Sequence, residues 1–263
     1  RTIAEPGAPG AWYRGRRLVS LDGTTIALPD TPELEARYGR PKAARGASGF
    51  PQMRLLTIVE TGTHAVFAVA ADRYTASEVR LAPQLFPRLK SGMLCLADRA
   101  FVGLTLWRLA AASGADLLWR VRANQQLPWL QSLPDGSYLS RLYSSPWHRR
   151  LDNEGITVRV MDYRLEGIPD AEPLYRLITT LLDPAQAPAA ELAALYHERW
   201  EAESTLAELK VKLPGRRLML RSRRVDLAEQ ELYGLLLAHL ALRRLMYDAS
   251  RKAGCDPDTL SFI

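Results

Sequence analysis

The chain has 263 residues, 47% of them hydrophobic and 24% charged, a composition typical of soluble globular proteins. No apolar run approaches the roughly 18 residues that span a bilayer, and no leader peptide is visible, so we expect a cytoplasmic protein with no membrane partner. The 2 cysteines and 4 histidines, without an HExxH pair, argue against a disulfide framework and a zinc enzyme.

The first half of the chain alternates strand and helix patterns. In order it predicts a β-rich stretch (16–30) with a break at Asp22-Gly23, a basic glycine-rich loop (36–52), a hairpin formed by the runs MRLLTIVE and HAVFAVAA, a helix (75–89) capped by Thr75 or Ser77, a buried strand (92–98), a helix (102–115) closed by Gly114 and a strand (116–122). The loop lacks a GKS or GKT ending, so it does not indicate a P-loop. This order predicts a mixed α/β fold with a central sheet covered by helices.

The second half predicts a different organisation. Residues 124–173 contain turn signals and alternating runs, which predict β-hairpins without a helix. A strand-like run follows at 174–183, and the pattern is then helical from Pro188 to about Lys252, with a break at 214–220. The predicted segments are a first core part (1–123), a β-rich insertion (124–173) and a second core part (174–263). The start at Arg1 and the apolar end LSFI lead us to expect a fragment of a longer protein.

The net charge of +6 favours an anionic partner. Residues 36–59 and 213–225 contain no acid, and each segment carries five basic residues. Arg216 and Arg217 belong to the second segment and are candidates for contact with phosphate, which arginine binds in a bidentate way. A solvated surface is an equally good interpretation of each cluster alone.

The run YHERWEAESTLAELK (196–210) predicts a helix. At about 100° per residue, four polar side chains fall on one stripe roughly 60° wide: Tyr196, Arg199, Glu203 and Lys210. A neighbouring buried stripe is predicted for Leu195, Leu206, Leu209 and Leu213, and the solvent side for Glu198, Glu201, Thr205, Glu208 and Lys212. Taken singly, each polar residue on the stripe has an ordinary interpretation, such as an i,i+4 ion pair between Arg199 and Glu203.

Two further acids, Asp22 and Asp98, follow short apolar runs and are predicted at strand ends. Side chains at such ends can converge on one site. Three carboxylates there could hold two divalent ions, and oxygen ligands of this kind suit Mg²⁺. Asp30, Asp72 and Asp116 also lie near strand ends, and the pattern alone does not choose between these acids.

The motif Y-(2)-R-(3)-E-(6)-K at 196–210, the block LDGTTIALPDTPE and the block LADRAFVGLTLW occur in this order. Together they resemble the DDE transposases of the IS4 group of insertion sequences, and the resemblance covers almost the whole chain. It implies an RNase H-like mixed sheet flanked by helices, with a β-rich insertion before the last catalytic helix.

The resemblance also implies roles for individual residues. Asp22, Asp98 and Glu203 would be catalytic and bind two Mg²⁺ or Mn²⁺ ions, while Tyr196, Arg199 and Lys210 would contact phosphates. The implied partner is double-stranded DNA, both transposon ends and target, bound by a homodimer and therefore at the nucleoid. Trp129 and Trp147, in the predicted insertion, are candidates for stacking on a flipped base, and packing is the ordinary interpretation of each.

Two other functions stay open. A transposase-derived DNA-binding protein would keep the basic surface and lose the chemistry, but all three acids are present. A general RNase H-like nuclease would not need the tyrosine-to-lysine spacing or the insertion.

Overall fold

The computed structural model describes residues 2–43, 46–47, 49–165, 172–215, 218–257 and 260–262. In chain order the strands are β1 (Trp12–Tyr13), β2 (Arg16–Ala27), β3 (Lys42–Ala43), β4 (Gly46–Ala47), β5 (Gln52–Glu60), β6 (Ala65–Arg73), β7 (Met93–Ala97), β8 (Asp116–Val121), β9 (Gln131–Ser132), β10 (Tyr138–Leu142), β11 (Ile156–Tyr163) and β12 (Tyr175–Thr179). The helices are α1 (Pro32–Tyr38), α2 (Glu78–Leu85), α3 (Leu104–Ala111), α4 (Pro146–Arg150), α5 (Ala189–His197), α6 (Trp200–Ala207) and α7 (Val225–Ala253). A 3-10 turn (Phe86–Arg88) follows α2, and a π-helical segment (Glu208–Lys212) follows α6. None of the helices in the described ranges combines the length and the apolar character that a membrane crossing requires.

The chain divides into two compact units. The first unit comprises Arg1–Leu85 and Trp200–Ile263, and the second comprises Phe86–Arg199. The segment boundaries predicted after residues 123 and 173 both fall within the second unit.

In the first unit, β1, β2, β5 and β6 pair antiparallel in the order β6-β5-β2-β1. The predicted hairpin is confirmed as β5 and β6. Strand β5 is almost continuously apolar and buried, as expected for a strand covered on both faces. One of those faces packs in a core with α1, α6, the π-helical segment and α7, and α2 also contacts β5 and β6.

Strand β2 is continuous where the sequence predicted a break. Asp22 pairs with Thr57 and Gly23 with Leu56 in an unbroken antiparallel register. The glycine does not make a turn: a Cβ at Gly23 would overlap the carboxyl group of Glu78, so glycine permits a close approach at this point. Asp22 therefore lies within a strand, and its prediction at a strand end is wrong.

The first unit also contains a helix that the sequence analysis missed. Helix α1 begins after Thr31, whose hydroxyl accepts a hydrogen bond from the Leu34 N–H at 3.3 Å, and Pro32 occupies its first turn. A threonine cap followed by proline is a helix start signal. The predicted loop at 36–52 thus begins inside α1 and continues into the short β3–β4 hairpin. The cap predicted for α2 is confirmed at Ser77, which accepts from the Arg80 N–H at 3.3 Å.

The second unit contains a mixed sheet in the order β7-β8-β12-β11-β10-β9, in which β7 and β8 are parallel and the other pairs are antiparallel. Helix α3 connects β7 to β8 and contacts β8, while α5 contacts β11. Trp107 meets Trp119 edge to face at 5.1 Å between ring centroids, and both are fully buried. The predicted strands at 92–98, 116–122 and 174–183 are confirmed, as is the mixed α/β class with helices flanking the sheet.

The described part of residues 124–173 contains strands β9, β10 and β11 and, against the prediction, also a helix. Helix α4 begins after Ser145, whose hydroxyl accepts from the His148 N–H at 3.3 Å, with Pro146 in the first turn. The five-residue element is too short to show a helical period, and the serine–proline start was the available signal.

Candidate active site

In the first unit, Asp22 belongs to the face of β2 that the α6 segment covers. Side chains alternate along a strand, so Asp22, Thr24 and Ile26 share one face. Ile26 packs in one core with Ala202 of α6 and Leu209 of the π-helical segment. The Asp22 side chain is half-buried, and its backbone carbonyl accepts from the Thr57 hydroxyl at 2.9 Å.

Lys210 and Glu203 approach the same strand from the helical segment. The Lys210 ammonium donates to the Thr24 hydroxyl at 2.8 Å, two residues along β2 from Asp22. Glu203 lies on α6, which contacts β2, and its side chain is half-buried. In the first unit, Asp22 therefore lies on β2, Glu203 lies on the helix that contacts β2, and Lys210 bonds to β2.

In the second unit, Asp98 follows β7 directly, as predicted. Its carboxylate accepts from the Ala100 N–H at 2.8 Å, and its carbonyl accepts from the Phe101 N–H at 3.3 Å. These two bonds close a turn directly after the buried strand, and the Asp98 side chain there is half-buried.

Tyr196 lies beneath the same turn and is only 6% exposed. Its hydroxyl donates to the Ala97 carbonyl at 3.3 Å, one residue before Asp98. Burial raises the pKa of the Tyr196 phenol well above its usual value; the Arg199 charge opposes this and the Asp98 charge adds to it. The second unit therefore groups the other three predicted residues, Asp98, Tyr196 and Arg199.

The predicted single helix over 196–210 is wrong. Helix α5 ends at His197, and the N–H groups of Glu198 and Arg199 bond to carbonyls three residues back, which tightens the last turn. Helix α6 then begins at Trp200, and the segment becomes π-helical from Glu208. The four residues on the predicted stripe lie on different elements, because the stripe assumed one uninterrupted α-helix.

The predicted solvent side of this segment is also wrong at two positions. Thr205 is fully buried and its hydroxyl donates to the Glu201 carbonyl at 2.7 Å. Glu208 is buried among His64, His239 and Arg243. The predicted leucine stripe is confirmed at Leu206 and Leu209, which are buried, and at Leu213, which packs against the same core.

The acids that competed with Asp22 and Asp98 make ion pairs or hydrogen bonds elsewhere. Asp72 pairs with Arg37 and Arg80, Asp30 pairs with Arg40, and Asp116 accepts from the Thr180 hydroxyl at 3.2 Å. In the described part of the first basic segment, Arg37, Arg40 and Arg54 all pair with acids. Arg216 and Arg217 lie outside the described residues.

The two tryptophans of the predicted insertion differ in their contacts. Trp129 stacks on Tyr138 with ring centroids 3.9 Å apart, and its indole N–H donates to Ser132 at 3.2 Å, so the packing interpretation fits it. Trp147 is 54% exposed on α4 and touches His148 edge to face.

The donor chemistry of the three predicted acids fits a hard divalent cation, because all their ligand atoms are carboxylate oxygens. Within the described ranges, no group of three or more histidine, cysteine, aspartate or glutamate side chains is arranged to hold a metal ion. The three acids therefore match such a cation only in the type of ligand atom that they offer.

Comparison with known proteins gives consistent similarities. A family described as "Transposase DDE domain" matches residues 13–241. The chain is 31% identical over 261 residues to the transposase InsG of insertion sequence element IS4 from Escherichia coli K12, covering 97% of the chain and 58% of InsG. It is 26% identical over 112 residues to the putative transposase InsZ of the same strain, covering 42% of the chain and 38% of InsZ. The chain thus spans little more than half the length of InsG.

A solved structure has a similar fold. The piggyBac transposase, determined in a synaptic complex with hairpin DNA, aligns with 94% of this chain and 49% of its own at a TM-score of 0.51 and 14% sequence identity.

Proposed function

The chain belongs to the transposase DDE domain family, in its IS4 group, and we propose that it cleaves DNA at the ends of an insertion sequence and joins those ends to target DNA. The family match over residues 13–241 carries this proposal, because it encloses every residue of the sequence motif. Those residues are Asp22, Asp98, Glu203, Tyr196, Arg199 and Lys210.

We assign Asp22, Asp98 and Glu203 as the ligands of two Mg²⁺ or Mn²⁺ ions. When bound, such ions supply Lewis-acid charge for in-line phosphoryl displacement. The support from the structure is that Asp22 lies on β2, that Glu203 lies on α6, which contacts β2, and that Asp98 follows a buried strand of the second unit.

Cationic side chains would hold the phosphates of the substrate. Lys210 has its ammonium at β2 and Arg199 is half-buried near Tyr196. Hydrogen bonds from such cations to phosphate are charge-assisted. Arg216 and Arg217 are proposed for the same role, and a phosphate contact by Tyr196 stays a prediction. Water and then the freed 3′-hydroxyl would be the successive nucleophiles.

Family membership also supports proposals about the fold, the assembly and the location of the protein. We propose an RNase H-like core with a β-rich insertion, a homodimer that pairs two DNA ends, and action in the cytoplasm at the nucleoid. The proposed partner is double-stranded DNA.

The test uses the full-length gene product and a supercoiled plasmid that carries the DNA flanking its gene on both sides. We expect strand breaks at the element's ends that require Mg²⁺ or Mn²⁺. Asp22→Asn, Asp98→Asn and Glu203→Gln should each reduce cleavage by at least about 100-fold, the scale for loss of a transition-state stabilising group. Asp116→Asn is the matched control, because Asp116 is another strand-end acid, and it should leave cleavage unchanged.

Three other outcomes would change the assignment. Cleavage that survives all three acid substitutions would refute it. DNA binding without cleavage under any metal condition would indicate a non-catalytic derivative. Equal cleavage of unrelated duplexes would indicate a general nuclease.

A further inference from the structure

A buried carboxylate joins three elements of the first unit. Glu208 is 3% exposed and lies 3.0 Å from His64 Nδ1, 3.1 Å from His239 Nε2 and 2.8 Å from Arg243 Nε. Arg243 Nη2 also donates to its second oxygen. His64 belongs to the β5–β6 turn, and His239 and Arg243 belong to α7, so Glu208 links that turn and that helix to the segment following α6. We call these four residues the Glu208 cluster.

The Glu208 side chain is held as an ion. Burial alone would raise its pKa, but hydrogen bonds from His239 and His64 and the Arg243 guanidinium hold that pKa well below its usual value. A buried charge is tolerated when it is paired and hydrogen-bonded, and removing one partner is strongly destabilising. The cluster therefore fixes the position of Glu208 in the fold.

The backbone changes its geometry at the same residue. The π-helical segment begins at Glu208, and the Leu213 N–H bonds to the Glu208 carbonyl at 2.8 Å, an i→i+5 bond. The π turn closes the helical run that begins at Trp200, a position at which such turns occur. An i→i+5 turn displaces the following side chains from α-helical spacing, and Lys210, two residues on, reaches Thr24 of β2 at 2.8 Å.

A second contact anchors the start of α6. Glu201 accepts a hydrogen bond from the Gly62 N–H, and its Oε2 lies 3.7 Å from His64 Nε2. Glu203 lies between Glu201 and Glu208, both of which contact the β5–β6 turn. The proposed metal ligand is thus carried on a helix that is anchored on both sides of it.

We propose that Glu208 is a positioning residue for the DNA-cleaving site. It anchors the π-helical segment in the core and thereby sets where the Lys210 ammonium lies relative to Asp22 on β2 and to a substrate phosphate. The inference rests on the proposed function, because it requires DNA as the substrate of Lys210.

A merely structural role for Glu208 predicts a different result in a double-substitution experiment. If Glu208 acts through Lys210, the two substitutions are coupled, whereas independent sites give effects that multiply. Cleavage of the flank-bearing plasmid is therefore compared for wild type, Lys210→Ala, Glu208→Gln and the double variant, at a temperature at which all four are folded.

We expect Lys210→Ala to lower the cleavage rate about 10- to 100-fold in the wild-type background, the scale of a lost hydrogen bond to a charged group. In the Glu208→Gln background the same substitution should lower it by less than about threefold. An equal factor in both backgrounds would overturn the inference. If Glu208→Gln does not fold, Glu208→Gln with Arg243→Met replaces it, because no unpaired buried charge then remains.

The matched control is a buried ion pair in the second unit, whose arginine also donates to Ser137, Leu181 and Ala187. Arg159 is fully buried and pairs with Asp135. In the Asp135→Asn background, Lys210→Ala should retain its full effect. A loss of that effect would also overturn the inference, since general destabilisation would then suffice.

A readout without catalysis completes the design. Amide hydrogen exchange over residues 204–215 should accelerate in Glu208→Gln and stay unchanged in Asp135→Asn. If the wild type does not cleave, the proposed function fails. The same four proteins are then compared by their affinity for a duplex from the flanking DNA. Coupled effects of the two substitutions on that affinity support the positioning role, and effects that multiply overturn it.

Discussion

The two units hold their predicted site residues by different physical means. In the first unit a buried ionic cluster, Glu208 with His64, His239 and Arg243, anchors the segment that carries Glu203 and Lys210. In the second unit a neutral contact holds the turn at Asp98: the buried Tyr196 hydroxyl donates to the carbonyl of Ala97. The first arrangement depends on charge and the second on burial and one neutral hydrogen bond, so the two should respond differently to substitution and to pH.

The largest expected effect breaks the charged arrangement. Arg243→Ala leaves the Glu208 carboxylate buried without its cation, and breaking a buried pair in this way costs about 3–5 kcal/mol. Urea unfolding should show the loss, and amide exchange should show it first around Glu208 and the β5–β6 turn. A loss below about 1 kcal/mol would show that the cluster is not held by charge. Arg244→Ala, which removes an exposed i,i+4 pair with Asp248, is the control and should cost at most about 0.5 kcal/mol.

A smaller effect should appear in acid and should be specific to the first unit. Because the pKa of Glu208 is lower when folded than when unfolded, its stabilisation is present above the unfolded value of about 4.3 and decreases as the pH falls toward the folded value. Below the unfolded pKa, the free energy of unfolding of the wild type should fall by roughly 1.4 kcal/mol per pH unit relative to that of Glu208→Gln. Urea titrations of the two proteins between pH 5 and about pH 3 measure this difference; parallel curves would contradict the assignment of a buried ion.

The smallest effect tests the neutral arrangement. Tyr196→Phe removes one hydrogen bond and leaves the ring in place, so the expected cost is about 0.5–1.5 kcal/mol, independent of pH from 5 to about 8 because no charge is lost. Tyr233→Phe is the control, since Tyr233 is 55% exposed and should be neutral. A strongly pH-dependent cost for Tyr196→Phe would show that charge also holds the second unit's turn.

Elements whose cause is local could be predicted from the sequence. The alternation and apolar runs of β5, β6 and β7 and the Ser77 cap of α2 depend on neighbouring residues, and their predictions are confirmed. The glycine at position 23 shows the limit of local interpretation. The sequence predicted a break in the strand, but the glycine makes room for Glu78, which is brought there by the folded chain.

The arrangement around the candidate site depended on distant residues and could not be predicted from the pattern. Glu208 is predicted on the solvent side because an uninterrupted α-helix would place it away from the leucine stripe. Its partners are separated from it by 144 residues at His64 and by 31 at His239. The identities of Asp22, Asp98 and Glu203 as candidates came from the family motif, since several other acids had the same local pattern.

The division of the chain also has a consequence for the order of synthesis. The second unit is one continuous stretch, Phe86–Arg199, whereas the first is assembled from both ends of the sequence. Domains generally fold as units while the chain emerges from the ribosome, amino-terminal parts first. A nascent chain that has reached residue 199 already holds Asp98, Tyr196 and Arg199, but Asp22 must wait for the helix that carries Glu203 and Lys210. The three acids that we propose as metal ligands are therefore all present only after the whole second unit has been synthesised.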